Sequence, residues 1–469
     1  MDQFVGDLVA ARLHLPEFDV AAPARQRLAD GLGLSEGQVR PAGREPERFG
    51  HTRTEVPRVQ KRTSSAASAT ARSDAALAGV ARPLAGSEAT PATVTAPLSV
   101  RPELGNEMAR VCAGARLHFG FCNLSLSHER LYGALGVGLA APRVVVDAEP
   151  ASAVSVTVDG AEEIPAKSAD SVSDVRGDAR GYATAAVDLL GVDGARVAVR
   201  ESLPRHAGLG SGTQLAAATL AAVAAAHGEP ARVRERAPAL GRGGRSGVGV
   251  ATFEGGGFVL DAGHPTARFT TDRPADGEWT VPPVAARHAV PEDWRFLLVE
   301  PDADAGRSGA AEDDAMRTAV ERADPSLADR IGGIVTRRVL PAVATEDAEA
   351  FGAAVADIGR LNGAWYADEQ GGVYRPPVGE VVDSLSGAAS VFGAGQSSWG
   401  PTVYGVTDAE RAAAARDAGE RALGAAGVGG EVSVVRASNE GARIDAERGT
   451  EPPSADPERG NTKSRGDGA

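Results

Sequence analysis

The segment Pro204 to Gly228, PRHAGLGSGTQLAAATLAAVAAAHG, restricts what this chain can fold into more than any other stretch. Gly208, Gly210 and Gly212 interleave with Leu209, Ser211 and Thr213, and an alanine-rich helical run follows at once. The preceding residues, Ala195 to Pro204, alternate apolar and polar positions, the period of a strand. Strand, glycine-rich turn and helix together make an anion site. The glycines let backbone approach a phosphate, amide N–H groups point inward, and the helix N-terminus adds partial positive charge. Ser211 and Thr213 supply hydroxyls that donate further bonds or cap the helix. A turn that only caps a packed helix has the same composition, so the surrounding chain must decide.

Two phosphate fingerprints are excluded. A Walker A loop needs a lysine before its Ser or Thr, and the lysines of this chain are Lys61, Lys167 and Lys463. A Rossmann turn needs a third glycine that Gly208-Leu-Gly-Ser-Gly-Thr-Gln does not supply. The order Pro204 to Thr213 instead resembles the second motif of the GHMP kinase superfamily, P-x-x-x-G-L-G-S-S/G-A/T. Four further blocks are similar to one branch of it, the β-ribofuranosylaminobenzene 5′-phosphate synthases. They are ARLHFGF (Ala115 to Phe121), SHERLYGALGVGL (Ser127 to Leu139), GRGGRSGVGVATFEGGGFVLDAG (Gly241 to Gly263) and FGAGQSSWGPTVYG (Phe392 to Gly405).

The resemblance implies an α+β fold of two domains. An N-terminal phosphate-loop domain is followed by a C-terminal ferredoxin-like domain, with the ligand between them. It implies transfer of a phosphoribosyl group from 5-phosphoribosyl 1-pyrophosphate to 4-hydroxybenzoate or a related benzoate, with loss of CO2 and pyrophosphate. The pathway implied is tetrahydromethanopterin-type cofactor synthesis, with Mg2+ accompanying the pyrophosphate and no protein metal centre. An ATP-dependent small-molecule kinase of the same superfamily is the alternative, and a non-catalytic ligand-binding relative a third reading. Against the kinase stands Ser246-Gly-Val-Gly-Val-Ala, where Gly249 occupies about the place of the kinases' aspartate.

Three anionic groups held together call for cations, and guanidinium forks suit phosphate and carboxylate. Arg242 and Arg245 lie among Gly241, Gly243, Gly244 and Gly247, in a tight turn able to present both. Arg116 and His118, two apart in a strand, face one side. The candidate catalytic residues are Arg116, His118, His206 and Arg245. The phosphate is assigned to Gly208, Leu209, Gly210, Ser211, Gly212, Thr213 and Arg242. Glu129, Arg130, Gln396, Ser397 and Ser398 are assigned to the second substrate. A buried, hydrogen-bonded His118, an exposed loop His206 and a packing role for Trp399 are the plainer readings.

Composition frames the rest. Of 49 basic residues only three are lysine, and 63 acidic residues set the net charge at −14. An acidic, lysine-poor, alanine-rich chain fits a high-salt cytoplasm, although genomic GC bias yields part of that pattern. The charge argues against general nucleic-acid binding. Cys112 and Cys122 lack a CxxC partner and read as reduced packing residues. No run reaches the roughly 18 apolar residues of a membrane span, and the acidic opening is unlike a signal peptide. A cytoplasmic protein is expected, possible as a homodimer.

Along the chain, residues 1–107 read as an extension, with a Ser/Thr/Ala/Pro-rich linker at 62–100. The family-like sequence begins directly behind Met108, which makes Met108 the expected start; a small helical appendage at 1–40 is the other reading. Removing 1–107 should leave folding and activity intact. The expected domains are 108–290 and 291–446, with a polar tail over 447–469. Strand patterns fall at 110–122, 135–146, 153–158, 195–203, 256–261, 294–300 and 430–436. Helix patterns fall at 175–190, 213–227, 308–322, 325–339, 346–366 and 408–424.

Overall fold

Two long strands form the spine of the first sheet. In β1 (Ala109–Asn123) the buried residues alternate from Ala109 through Val111, Ala113 and Ala115 to Leu117, the period of a strand with one face on the core. It pairs antiparallel with β2 (Arg130–Pro150). A computed structural model of the chain describes residues 108–159, 166–272, 274–304, 306 and 310–446. The expectations for residues 1–107 and 447–469 lie outside the described residues.

Beyond β2 come β4 (Ala195–Glu201) and then β3 (Ser155–Val158), which runs parallel to β4. A parallel pair needs a crossover, and α1 (Ala166–Leu190) provides it. The other end of β2 pairs with β5 (Phe258–Asp261) and β6 (His264–Pro265), and β7 (Val284–His288) adds to β5. Against this sheet lie α2 (Ser211–Ala226) and α3 (Val248–Gly255). Every residue of α2 from Gln214 to Ala226 is buried. A helix apolar on all sides belongs inside a core, and its alanines let it lie close against β1, β2 and α1.

The second sheet is fully antiparallel. It holds β8 (Trp294–Pro301), β9 (Gly393–Gln396), β10 (Val403–Asp408) and β11 (Gly430–Val435) in the order β11-β8-β10-β9. Between β8 and β9 run α4 (Ala310–Arg322), α5 (Pro325–Ile334), α6 (Ala348–Gln370) and α7 (Val378–Ser386). Then α8 (Ala412–Ala426) joins β10 to β11. Fourth, first, third, second is the ferredoxin-like arrangement of a β-α-β-β-α-β chain. The α+β fold with a phosphate-loop part and a ferredoxin-like part is therefore observed. Afterwards the chain returns to the first sheet, where β12 (Arg443–Ala446) pairs with the outer side of β1.

The sheets share a core. Phe119 of β1 meets Phe351 and Tyr404 edge-on, with ring centroids 5.7 and 5.0 Å apart, and Leu117, Phe296 and Ile358 join the same cluster. Fully burying each such side chain contributes on the order of 1.5–3 kcal/mol. This shared packing fixes the cleft at which the candidate site forms. Among the described residues, no helix is long and apolar enough to cross a membrane.

Candidate active site

The connection from β4 to α2 is the glycine-rich loop. Gly208 and Gly210 have φ of 86° and 85°, the left-handed region that glycine enters without steric cost. Gly210 is the N-cap, its carbonyl accepting from the amides of Thr213 and Gln214 at 3.1 and 3.0 Å, and no side chain caps the helix. The first-turn amides of Ser211 and Gly212 thus stand at a helix N-terminus, where the dipole favours an anion. Leu209 is wholly buried and anchors the loop in the shared core.

The β9–β10 turn locks onto this loop. Ser397 Oγ donates to Gly208 O at 2.7 Å and accepts from the His118 amide at 3.1 Å. The Ser398 amide donates to His118 O at 3.2 Å, and the Thr402 amide to Ala207 O at 3.2 Å. Gln396 Nε2 closes the turn by donating to Ser398 O at 3.0 Å. One serine therefore ties together the phosphate loop, β1 and the second sheet.

Arginines surround the loop. Arg116 Nη1 donates to Gly208 O at 2.5 Å, and its side chain lies over Gly210, where a Cβ would come within 3.0 Å of Arg116 Cγ. Burial pulls this guanidinium down to about 10 against the attraction of Glu312, so it is charged at neutral pH. Arg242 lies over Gly212, whose Cβ position is 2.9 Å from both Nη atoms. It donates to the Tyr182 hydroxyl, sits 5.3 Å above that ring, and has its backbone carbonyl held by Trp279 Nε1 at 3.0 Å. Arg245 bridges to Glu312 at 2.8 Å and to Asp313, both on the first turn of α4. Burial acts against its charge, but Glu312, Tyr132 and Asp313 together hold it above the ordinary arginine value.

The histidines differ from cations. His118 is 4% exposed, and burial, with Arg116 adding to it, depresses it to about 3. It is a neutral imidazole, edge-on to Phe121 at 4.9 Å. His206 adopts φ 54° in the loop and is also lowered, by partial burial and then by Arg205. Arg205 itself is bound to Asp178 at 2.5 Å.

Comparison with known proteins agrees with this fold. Residues 180–257 match the family described as GHMP kinases N terminal domain, and residues 339–425 that described as GHMP kinases C terminal. Homoserine kinase from Cytophaga hutchinsonii shares the fold, with a TM-score of 0.50 and 17% identity over 73% of this chain and 99% of that one. A β-ribofuranosylphenol 5′-phosphate synthase from Methanothermobacter thermautotrophicus is 35% identical over 298 residues, covering 63% of this chain and 87% of the relative. The chain belongs to the β-ribofuranosylphenol 5′-phosphate synthase family. The synthase of the same name from Methanocaldococcus jannaschii is 27% identical over 334 residues, 70% of this chain and 98% of that one.

In this synthase-family chain, Gly249 lies where the first turns of α2 and α3 touch. A Cβ there would be 2.9 Å from Thr213 Cγ2, and Gln214 Nε2 donates to Gly249 O at 3.0 Å. The two helix starts meet backbone to side chain, leaving no room for a carboxylate without a shift. Glu129 and Arg130 are held by backbone. Arg130 donates to Ala262 O at 2.5 Å and to Gly263 O at 2.6 Å, while the Glu129 carbonyl accepts from the Thr266 amide at 2.9 Å. The structure ties this pair to the β5–β6 corner. Glu312, Asp313 and Tyr182 enter the site without having been singled out in the sequence. An acidic pair opening a helix reads as an ordinary dipole partner, and no spacing links Arg245 to residues nearly seventy positions on.

Buried histidines set an acid limit on stability. His264 is 2% exposed and stacks on Phe269 at 3.7 Å. Burial lowers it to about 4, opposed by a bond with Gly243 and reinforced by Arg130. His118 and His264 thus stay neutral in the fold, whereas the unfolded chain protonates both near 6.5. Their contribution is present above that value and is lost as pH falls through it toward their folded values. Asp261, 2% exposed and raised to about 6 by burial despite bonds from Gly263 and Gly247, acts in the opposite sense. It favours the fold below about pH 4, and that contribution disappears as pH rises through 6. The urea midpoint should fall between pH 6.5 and 5. His264→Phe keeps the ring stack and should reduce the slope by up to about 1.4 kcal/mol per pH unit; an unchanged slope contradicts the assignment.

Proposed function

We propose that the protein joins C1 of 5-phosphoribosyl 1-pyrophosphate to the carboxylate-bearing carbon of 4-hydroxybenzoate, releasing CO2 and pyrophosphate. The product is a β-ribofuranosylphenol 5′-phosphate, for tetrahydromethanopterin-type cofactor synthesis. The observation that carries this reading is the 35% identity across 87% of a relative named for that product. The site chemistry agrees. As the bond from ribose C1 to the pyrophosphate oxygen breaks, its electron pair leaves with pyrophosphate and the ring carbon becomes oxocarbenium-like. The benzoate carbon supplies the pair for the new C–C bond, and the electrons of the broken C–CO2 bond restore aromaticity.

Charge develops on the departing pyrophosphate, where fixed donors act most strongly. The amides of Ser211 and Gly212, the guanidinium of Arg242 and that of Arg245 supply them. Arg116 holds the carbonyl of Gly208 and so keeps the loop in shape for its ligand. His118, neutral and buried, puts no positive charge where it would pin the carboxylate that must leave as CO2. Magnesium would neutralise pyrophosphate charge when bound, and the described residues bring no three metal-ligating side chains together to hold it without the pyrophosphate. The kinase alternative is opposed by the glycine at 249.

The test supplies carboxyl-labelled 4-hydroxybenzoate, 5-phosphoribosyl 1-pyrophosphate and Mg2+ in high salt. Labelled CO2 should appear only with both substrates. No release, with ATP consumed against a panel of alcohols, returns the protein to the kinases.

A further inference from the structure

The turn that presents Arg242 and Arg245 has little stiffness of its own, because Gly241, Gly243, Gly244 and Gly247 supply most of it. A chain of that composition keeps one shape only where its neighbours impose it. The neighbour here is the β5–β6 corner. Asp261, the last residue of β5, is buried, and its Oδ2 accepts from the Gly247 amide at 2.8 Å and from Ser246 Oγ at 3.4 Å. Its Oδ1 accepts from the Gly263 amide at 2.9 Å, so one carboxylate joins turn to corner. His264 bonds the backbone of Gly243, and Trp279 Nε1 holds the carbonyl of Arg242.

The corner is stapled in turn. Arg130, the first residue of β2, donates from Nε to Ala262 O at 2.5 Å and from Nη2 to Gly263 O at 2.6 Å. A guanidinium fork suits two neighbouring carbonyls at a fixed spacing, which a single ammonium does not. Gly263 has φ 63°, and a Cβ there would collide with Leu131 O and the Gly133 amide nitrogen, so the corner lies flat on β2. The restraint also runs onward. Gly247 is the N-cap of α3, whose Gly249 meets Thr213 of α2. From Arg130 the grip therefore passes through the corner to the turn, and from the turn to the phosphate-loop helix.

We propose that Arg130, Asp261 and His264 are positioning residues, which hold the guanidinium groups of Arg242 and Arg245 in place for the pyrophosphate. Arg130 accordingly takes no part in holding the aromatic acid. The inference rests on the function proposed above, since it takes those two arginines as the anion's ligands. Its physical basis is that a ligand group displaced by about 1 Å costs on the order of a hundredfold even when the change lies far from the chemistry. None of the three touches the anion. Each acts by denying the glycine-rich turn its other shapes.

Calorimetry on the full chain tests this, with pyrophosphate and 4-hydroxybenzoate as separate titrants and urea unfolding beside them. Arg130→Met should weaken pyrophosphate binding roughly tenfold and leave 4-hydroxybenzoate affinity unchanged. In turnover the loss should fall on KM for 5-phosphoribosyl 1-pyrophosphate. Arg130 is exposed, so the urea midpoint should stay close to that of the native protein. Arg130→Lys, able to hold one carbonyl of the two, should fall between native and Arg130→Met. Asp261→Asn should weaken pyrophosphate by roughly tenfold as well, because its amide nitrogen faces one of the two backbone N–H groups that the carboxylate now accepts from. Weaker 4-hydroxybenzoate with native pyrophosphate affinity in Arg130→Met would put Arg130 on the acid and overturn the proposal. Native pyrophosphate affinity in both Arg130→Met and Asp261→Asn would overturn it too, as would Arg130→Lys no better than Arg130→Met. Absence of labelled CO2 alongside the expected pyrophosphate pattern would remove the reaction and leave the positioning standing.

Discussion

Gly208→Ala is expected to destabilise the fold by about 3 kcal/mol and to weaken 5-phosphoribosyl 1-pyrophosphate binding at least a hundredfold. Two effects combine. The residue sits at φ 86°, where a Cβ is strained, and that Cβ would stand 2.1 Å from the carbonyl oxygen of Ser397. The obstructing atom is backbone, so the β9–β10 turn must move away. Moving it breaks the bond from Ser397 Oγ to Gly208 O and the one that Ser397 Oγ accepts from His118. Gly210→Ala is the control. Its φ is 85°, but the nearest obstacle is Arg116 Cγ at 3.0 Å, which belongs to a side chain that can rotate. That variant should lose only the strain, about 1–2 kcal/mol. Urea unfolding and calorimetry separate the two; native stability and affinity in Gly208→Ala would mean the interlock does not hold the loop.

Arg245→Met should lower kcat/KM for 5-phosphoribosyl 1-pyrophosphate by roughly 100- to 1,000-fold. The loss has two parts. A donor to the developing pyrophosphate charge disappears, and Glu312 and Asp313 lose the cation they now bind. Both carboxylates are partly solvated, at 30% and 42% exposed, so the stability cost is small and the damage falls on anion binding. Adding Glu312→Gln to Arg245→Met should therefore recover part of the lost affinity. Unchanged kcat/KM in the single variant would take Arg245 out of the site, and a double variant no better than the single would exclude the repulsive part.

Legibility in the sequence followed the physics of each element. The phosphate loop could be read because strand alternation, glycine spacing and helix composition are all local. The long helices and β1, β4 and β8 were legible for the same reason. By contrast β9 is Gly-Ala-Gly-Gln, with almost no side chains to alternate, and it forms because β10 lies beside it. β12 has four residues and exists only through its pairing with β1. The same division runs through the site. Arg116, Ser397 and the glycines announced themselves in motifs. Glu312, Asp313 and Tyr182 did not, because what they do depends on contacts across the chain that no local pattern encodes.

The return of β12 to β1 gives the molecule the topology of an insertion. Everything from β8 to β11 is threaded between two parts of one sheet, and Asn439 clasps the entry point by exchanging bonds with Val290 N and O at 2.7 and 2.8 Å. During synthesis, the first sheet must wait with the edge of β1 unpaired until the second has been made. An open edge is a template for pairing with other chains. The ferredoxin-like half is thus an obligatory parenthesis within the phosphate-loop half: the sentence that opens at Ala109 is closed only at Ala446.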